Sequence, residues 1–199
     1  LRGVVDLPVQ VATAEAIAAL SPDAVFLATP HEVRDTLAAA LLAMARPPVI
    51  LDLSAAFRLR DAALYPTHYG YAHSHPSLLA GAVYGLPELY RDQLRGTDCI
   101  ATPGCYPTAA SLPMAPLVRA GLVTTDRMIV DAVSGVSGAG RPPKPNTTFC
   151  TVDEDVTAYG LLDHRHTPEM EMNIGAPVIF TPHLVPMNRG ILATCYGQP

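Results

Sequence analysis

Two strand-length apolar runs with a helix-length segment between them constrain this chain more than anything else in it. Ala24-Val-Phe-Leu-Ala28 and Val49-Ile-Leu-Asp-Leu53 are nearly continuous in apolar residues, the pattern of strands buried on both faces of a parallel sheet. Residues 32–45 between them read as a long helix closed by Pro47-Pro48, and strand, helix, strand in one sheet means a right-handed crossover. Upstream, Val4 to Leu7 reads as a weak strand, and Thr13 is placed to cap a helix over residues 14–20 that Ser21-Pro22-Asp23 breaks. Cys99 to Thr102 is a further apolar run. The first hundred residues therefore predict part of a doubly wound α/β sheet. In such sheets ligands bind beyond the carboxyl ends of the strands, which nominates Thr29-Pro30-His31, Ser54-Ala55 and Pro103-Gly104-Cys105 as loops around one crevice.

Cys105 stands where the last of these strands becomes a helix. Pro103 and Gly104 make the corner, and Pro107 suits the first helical turn, where its missing N–H would go unpaired anyway. A thiol there faces unpaired amides and the positive end of the helix dipole, which favour thiolate and can also hold an oxyanion. The competing reading is a small buried hydrophobe. The helix should run to about residue 120, with Pro113 and Pro116 forcing a kink or an early stop, since an interior proline costs about 3 kcal/mol.

Between these landmarks residues 57–90 are rich in Tyr, His, Pro and Gly and predict a long excursion with little regular structure, its His68, His73 and His75 solvated. From Met128 the texture changes. Residues 128–133, 149–159, 178–183 and 190–196 read as strands, which predicts an α+β lobe on a mostly antiparallel sheet. The expected division is 1–103 for a partial parallel-sheet lobe and 104–199 for the second.

Composition excludes several function classes. The chain has 199 residues, 49% of them hydrophobic and 16% charged, with 20 prolines and a net charge of −5. Scattered basic residues argue against a nucleic-acid or anionic-membrane surface, and the longest apolar segment, 37–45, is far short of the roughly 20 residues that span a bilayer. A small-molecule partner is expected. Four cysteines without a CxxC pair or a dense framework fit free thiols in a reducing compartment, hence the cytoplasm.

Two further constellations carry chemistry. Ser134-Gly-Val-Ser-Gly-Ala-Gly-Arg141 follows a strand, but Pro142, Pro143 and Pro145 stand where a dinucleotide fingerprint needs a helix. A flexible loop and a ligand loop compete there, with Arg141 leaning toward an anion. In His164-Arg-His-Thr-Pro-Glu169 the readings are metal ligands, an acid/base histidine paired with Cys105, or a solvated polar turn; no set of three or four zinc ligands lies close by. His183 reads as a structural histidine. Arg189 is either an anion-binding fork or a surface residue.

Pro103-Gly-Cys-Tyr-Pro-Thr-Ala109, the 134–141 loop, His164-Arg-His-x-Pro-Glu169 and Phe180-Thr-Pro-His-Leu184 with Arg189-Gly-Ile191 resemble, in this order, the N-acetyl-gamma-glutamyl-phosphate reductases, aspartate-semialdehyde-dehydrogenase-like enzymes of arginine biosynthesis. The likeness runs from Gly3 to Leu192. It implies an NADP-dependent reduction of an acyl phosphate to a semialdehyde, with Cys105 the nucleophile and His164 the acid/base. Arg58, Tyr159 and Arg189 would contact substrate, and Thr29, Pro30, Ser54, Ser137, Gly138, Ala139 and Gly140 the nucleotide. It also implies a homodimer or homotetramer through the second lobe. The family opens with a Gly-x-Gly-x-x-Gly-type loop and ends with a segment beyond residue 199, so the chain corresponds to its middle. A Cys/His hydrolase or acyltransferase working through the same thioester is the alternative, and a non-catalytic remnant a third.

Overall fold

The computed structural model describes residues 9–29 and 34–199. The expected strand at Val4–Leu7, the Gly3–Pro8 stretch, Pro30, His31 and the first residues of the helix begun at Glu32 lie outside the described residues.

Helix α1 (Ala14–Ala19) starts as its sequence asks, with Thr13 Oγ1 accepting the Ala16 N–H at 3.1 Å. Strands β1 (Ala24–Leu27), β2 (Val49–Asp52), β3 (Val83–Tyr84) and β4 (Cys99–Ala101) then form a parallel sheet in the order β1-β2-β4-β3. Helix α2 (Arg34–Leu42) makes the crossover from β1 to β2 and buries Ala38 and Leu41 in the core with Leu27, Ile50 and Ala101. One expectation fails at the edge. The central strands are buried, but Phe26 on the outer strand β1 is 68% exposed, because no described element covers that face.

The stretch 57–90 is also more ordered than its composition suggests. It holds α3 (Leu64–Tyr69), a 3-10 turn at Pro76–Ala80, β3 and the start of α4 (Pro87–Leu94). Its aromatic residues are core: Tyr65 is fully buried, donates its hydroxyl to Ala56 O at 2.6 Å, and packs against Tyr69, Tyr71 and His73. Buried His73 contacts the Ala56 carbonyl at 3.0 Å through Nε2. Tyrosine and histidine rings carry enough apolar area to build a core when their polar tips find partners, which a reading by hydrophilicity overlooks.

Helix α5 (Cys105–Arg119) continues past Pro113 and Pro116. The expected stop does not occur because the helix is held from outside. Tyr106, Ala110 and Met114 are buried against the second sheet, and tertiary burial outweighs the hydrogen bonds that proline removes.

The second sheet is mixed. Strands β5 (Met128–Gly135), β6 (Thr157–Ala158), β7 (Val178–Val185) and β8 (Ile191–Tyr196) lie in the order β6-β7-β5-β8. The outer pairings, β6 with β7 and β5 with β8, are antiparallel as expected, but the central pair β5 and β7 is parallel over its whole length. Parallel neighbours need a crossover, and here it contains α6 (Phe149–Val152) and α7 (Thr167–Ile174). Residues 149–159 are thus a helical turn and two strand residues, not one strand, the chain reversing at Glu154 with φ 58°.

Alternation in β5 and β7 gives this sheet two unlike faces. Met128, Val130, Ala132, Val178 and Phe180 face α5 and α7, while Ile179, Leu192 and Tyr196 stay open to solvent. Among the described residues no helix is long and apolar enough to cross a membrane. Met170 of α7 is fully buried between helix α5 and the sheet, so Met170→Ala is expected to cost about 2–5 kcal/mol, read as a lower urea midpoint.

Candidate active site

The register of the first sheet aligns the ends of its strands. Leu27 pairs with Asp52 and Asp52 with Ala101, so the loops after β1, β2 and β4 leave side by side. Asp52, fully buried, organises the middle one: its carboxylate accepts the Ser54 N–H at 2.8 Å, the Ser54 hydroxyl, and the Phe57 N–H at 3.2 Å. Ser54 therefore stands at the expected strand end with its hydroxyl engaged inside the chain. At the end of β1, Thr29 Oγ1 is buried and has no hydrogen-bond partner among the described residues, an orphan of the kind a bound ligand satisfies.

Arg58 is not an open anion site. Its Nε donates to Thr102 O at 2.7 Å and its Nη1 pairs with Glu169 at 3.2 Å, and its side chain is 10% exposed. Burial works against the guanidinium charge, but Glu169 more than offsets it and holds the charge on. The sequence offered an arginine near a strand end; the fold uses it as a tie between lobes.

The β4–α5 corner places Cys105 as the spacing predicts. It is the first residue of α5, with Gly104 as N-cap, and it is exposed. It is not sealed in hydrocarbon. Cys105 lines a cavity of about 480 Å³ whose wall also includes Tyr106, Ser134, Gly138, Tyr159, His164 and His166. The nucleophile candidate and the histidine candidate therefore open into one space.

His164 sits among rings. Tyr106, Tyr159 and Phe180 lie 5.6, 5.6 and 5.2 Å from it, centroid to centroid, and His166 lies at 4.9 Å. This burial, with Arg165 adding to it, lowers its pKa to about 4, and burial pushes His166 lower still. The His166 backbone N–H donates to His164 Nδ1 at 3.1 Å, so the neutral ring carries its proton on Nε2. The imidazole is thus a standing N–H donor rather than a reservoir of charge. Tyr159 joins Tyr106 hydroxyl to hydroxyl at 2.9 Å, and burial holds both phenols protonated.

The glycine-rich loop forms another part of the wall. Gly138 and Ala139 line the cavity, and a Cβ on Gly138 would meet Ser134 Oγ at 2.6 Å, so a side chain there would require the Ser134 hydroxyl to turn away. Ser137 and Gly140 belong to the same turn without lining the cavity, Ser137 donating its N–H to Asn188 O at 3.2 Å. Arg189 next to that carbonyl is exposed and outside the cavity, so its segment braces the loop while its side chain does not reach the site. The cations on the wall are Lys144 and Arg165, which motif reading passed over, although Arg165 stands inside the His-x-His segment. Among the described residues no cluster of metal-ligating side chains occurs.

Two family models cover almost the whole chain: semialdehyde dehydrogenase, NAD binding domain, over residues 1–97, and semialdehyde dehydrogenase, dimerisation domain, over residues 105–199. The chain belongs to the semialdehyde dehydrogenase family. Among curated relatives it is 49% identical to N-acetyl-gamma-glutamyl-phosphate reductase of Yersinia pestis over 195 residues, covering 98% of this chain and 57% of the relative. The same enzyme of Symbiobacterium thermophilum is 49% identical over 203 residues, again 98% and 57% of the two chains. This semialdehyde dehydrogenase chain thus spans somewhat over half the length of those relatives. The fold matches aspartate semialdehyde dehydrogenase of Francisella tularensis with a TM-score of 0.63 at 13% identity, covering 94% of this chain and 61% of that one. It matches the Candida albicans enzyme with NADP at 0.61 and 11%, covering 88% and 50%.

The buried neutral histidines make stability depend on pH. Their folded pKa values lie below the ordinary 6.5, so between about pH 6.5 and 4 the unfolded chain binds protons that the folded chain refuses, and stability falls as pH falls. The urea midpoint is expected to drop between pH 7 and pH 5, and His164→Asn to shrink that drop; an unchanged drop would show that other groups take up the protons.

Proposed function

We propose that this chain carries the catalytic centre of an N-acetyl-gamma-glutamyl-phosphate reductase, which reduces N-acetylglutamyl 5-phosphate to the 5-semialdehyde and releases phosphate. The observation that carries the reading is an exposed thiol at the start of a 15-residue helix, sharing one cavity with an imidazole whose Nε2–H is free to donate. The names of relatives that match nearly the whole chain at about half identity support it.

Cys105 attacks the acyl carbon. The carbon–oxygen bond to phosphate breaks, a thioester forms, and the thiol proton leaves with the phosphate. The Thr29 hydroxyl, unpaired among the described residues, and the backbone of Gly138 and Ala139 fit a nicotinamide nucleotide, with Ser54, Ser137 and Gly140 as its further neighbours. When bound, NADPH supplies hydride to the thioester carbon. The oxyanion that develops is held by the opening amides of α5, which have no intrahelical acceptors, and by His164 Nε2–H. Collapse expels Cys105 as thiolate and frees the aldehyde, so one proton from solution restores the thiol. A neutral histidine is sufficient for this role.

Substrate anions are assigned to Arg165 and Lys144, the cations on the cavity wall, with Tyr159 as a neutral donor. The lobe boundary is placed at the Gly104 corner, dividing 1–103 from 104–199. The apolar outer face of the second sheet, with Ile179, Leu192 and Tyr196 exposed, is the surface through which a homodimer or homotetramer would form. Four free cysteines fit the cytoplasm.

Cys105→Ser is expected to abolish acyl-phosphate-dependent loss of NADPH absorbance; full turnover by that variant would end the assignment. Turnover of acyl phosphate without NADPH loss would point to a hydrolase instead. His164→Ala is expected to lower kcat by about 10²–10³, the scale of one lost oxyanion donor, and His164→Asn, which keeps an N–H, to lower it less. Arg165→Gln should raise KM for the acyl phosphate roughly tenfold or more while KM for NADPH stays within about twofold.

A further inference from the structure

Glu169 lies in helix α7 with no solvent exposure, and the donors to its carboxylate come from four separate parts of the chain. Oε1 accepts Arg58 Nη1 at 3.2 Å and the Tyr69 hydroxyl at 3.1 Å. Oε2 accepts the Tyr84 hydroxyl at 2.7 Å and the backbone N–H of Gly104 at 3.0 Å. A carboxylate offers about four acceptor sites, and all are taken. Glu169 has nothing left for a substrate.

Three of these bonds explain how an anion can be buried between two lobes. Arg58, Tyr69 and Tyr84 supply a charge and two hydroxyls from the first lobe, as a buried ion pair requires. The fourth bond does something else. Gly104 is the N-cap of α5, and its amide has no partner within the helix, so the carboxylate sets the direction in which the chain enters Cys105.

The same corner is in contact with the histidines. A Cβ at Gly104 would stand 2.8 Å from His166 Nε2, and that nitrogen lies 4.0 Å from Glu169 Oε1. His166 in turn holds His164 through its backbone N–H. One side chain therefore touches the thiol's corner and the first turn of the helix behind the imidazole.

We propose that Glu169 is a positioning residue, which fixes the Gly104–Cys105 corner against the His164–His166 segment so that thiol and imidazole face the same cavity. This rests on the reading of Cys105 as nucleophile, but its test requires neither substrate nor nicotinamide.

Glu169→Gln keeps the shape but turns one oxygen into an NH₂ that must face either the Arg58 guanidinium or the Gly104 N–H, neither of which can accept a hydrogen bond. Alkylation of the intact chain by iodoacetamide, resolved by peptide mass spectrometry, compares Cys105 with the exposed Cys150 as internal reference. Glu169→Gln is expected to slow Cys105 relative to Cys150 roughly tenfold, since the sulfur loses its fixed place over the opening amides of α5. Tyr69→Phe and Tyr84→Phe remove one hydroxyl each and leave the Gly104 bond, so they should lower stability while holding the ratio within about twofold. An unchanged ratio in folded Glu169→Gln, or an equal fall in the tyrosine variants, would reduce Glu169 to a brace between lobes. Hydrogen exchange on the unaltered chain decides the matter even if that variant fails to fold: the Gly104 amide is expected to be protected, and exchange at the rate of an open loop overturns the proposal. A Cys105 no faster than Cys150 in the unaltered chain would count against the nucleophile reading alone.

Discussion

A carboxylate can be buried between two halves of a protein only if its surroundings replace water completely. Glu169 meets that condition with an arginine, two tyrosines and a main-chain amide. The requirement propagates outward. Arg58 must stand at the β2 end, Tyr84 must come from β3, and both phenols must stay protonated, as burial and the neighbouring anion ensure. Apolar contacts beside it, Tyr84 and Tyr90 with Leu112 and Met172, join the first lobe to α5 and α7. The lobes are thus fixed to one another through groups that are each costly to leave unpaired.

The cavity beyond this junction combines opposite demands. The thiol needs access and stands exposed at a helix start, whereas the imidazole is surrounded by aromatic rings and loses its affinity for a proton. Because the His166 amide occupies Nδ1, the ring presents a fixed Nε2–H. A preset donor that need not reorganise is worth more in a partly dry site than a mobile one in water. The glycine loop adds backbone where a side chain would collide, and the carbonyls of Met187 and Asn188 hold that loop at 2.8 and 3.2 Å.

Part of this site could be read from short stretches of chain. Cys105 is recognisable because proline and glycine before it and proline after it specify a strand-to-helix corner, and local geometry alone exposes such a residue. His164 was nominated by its neighbours, and it does open into the same cavity. The arginines were not legible. Arg58 looks like an anion site until its carboxylate partner appears 111 residues later, while Arg165 and Lys144 face the cavity through folding that no spacing encodes. Tyr106 and Glu169 stood in plain view inside their motifs, but their roles depend on partners from other elements.

Sequence alone determined the local elements: the Thr13 cap, the strand cores of β1, β2, β5, β7 and β8, the crossover, and the corner at Cys105. These follow from side-chain periodicity, capping and proline chemistry, which act over a few residues. Tertiary structure decided the rest. It carried α5 through two prolines, made the central pair of the second sheet parallel, turned a tyrosine- and histidine-rich stretch into core, and converted Arg58 from a ligand candidate into a structural tie. The reason is the same in each case: the free energy that settles these outcomes comes from burial and from hydrogen bonds between residues distant in the chain, and it exceeds the local preferences that a sequence displays.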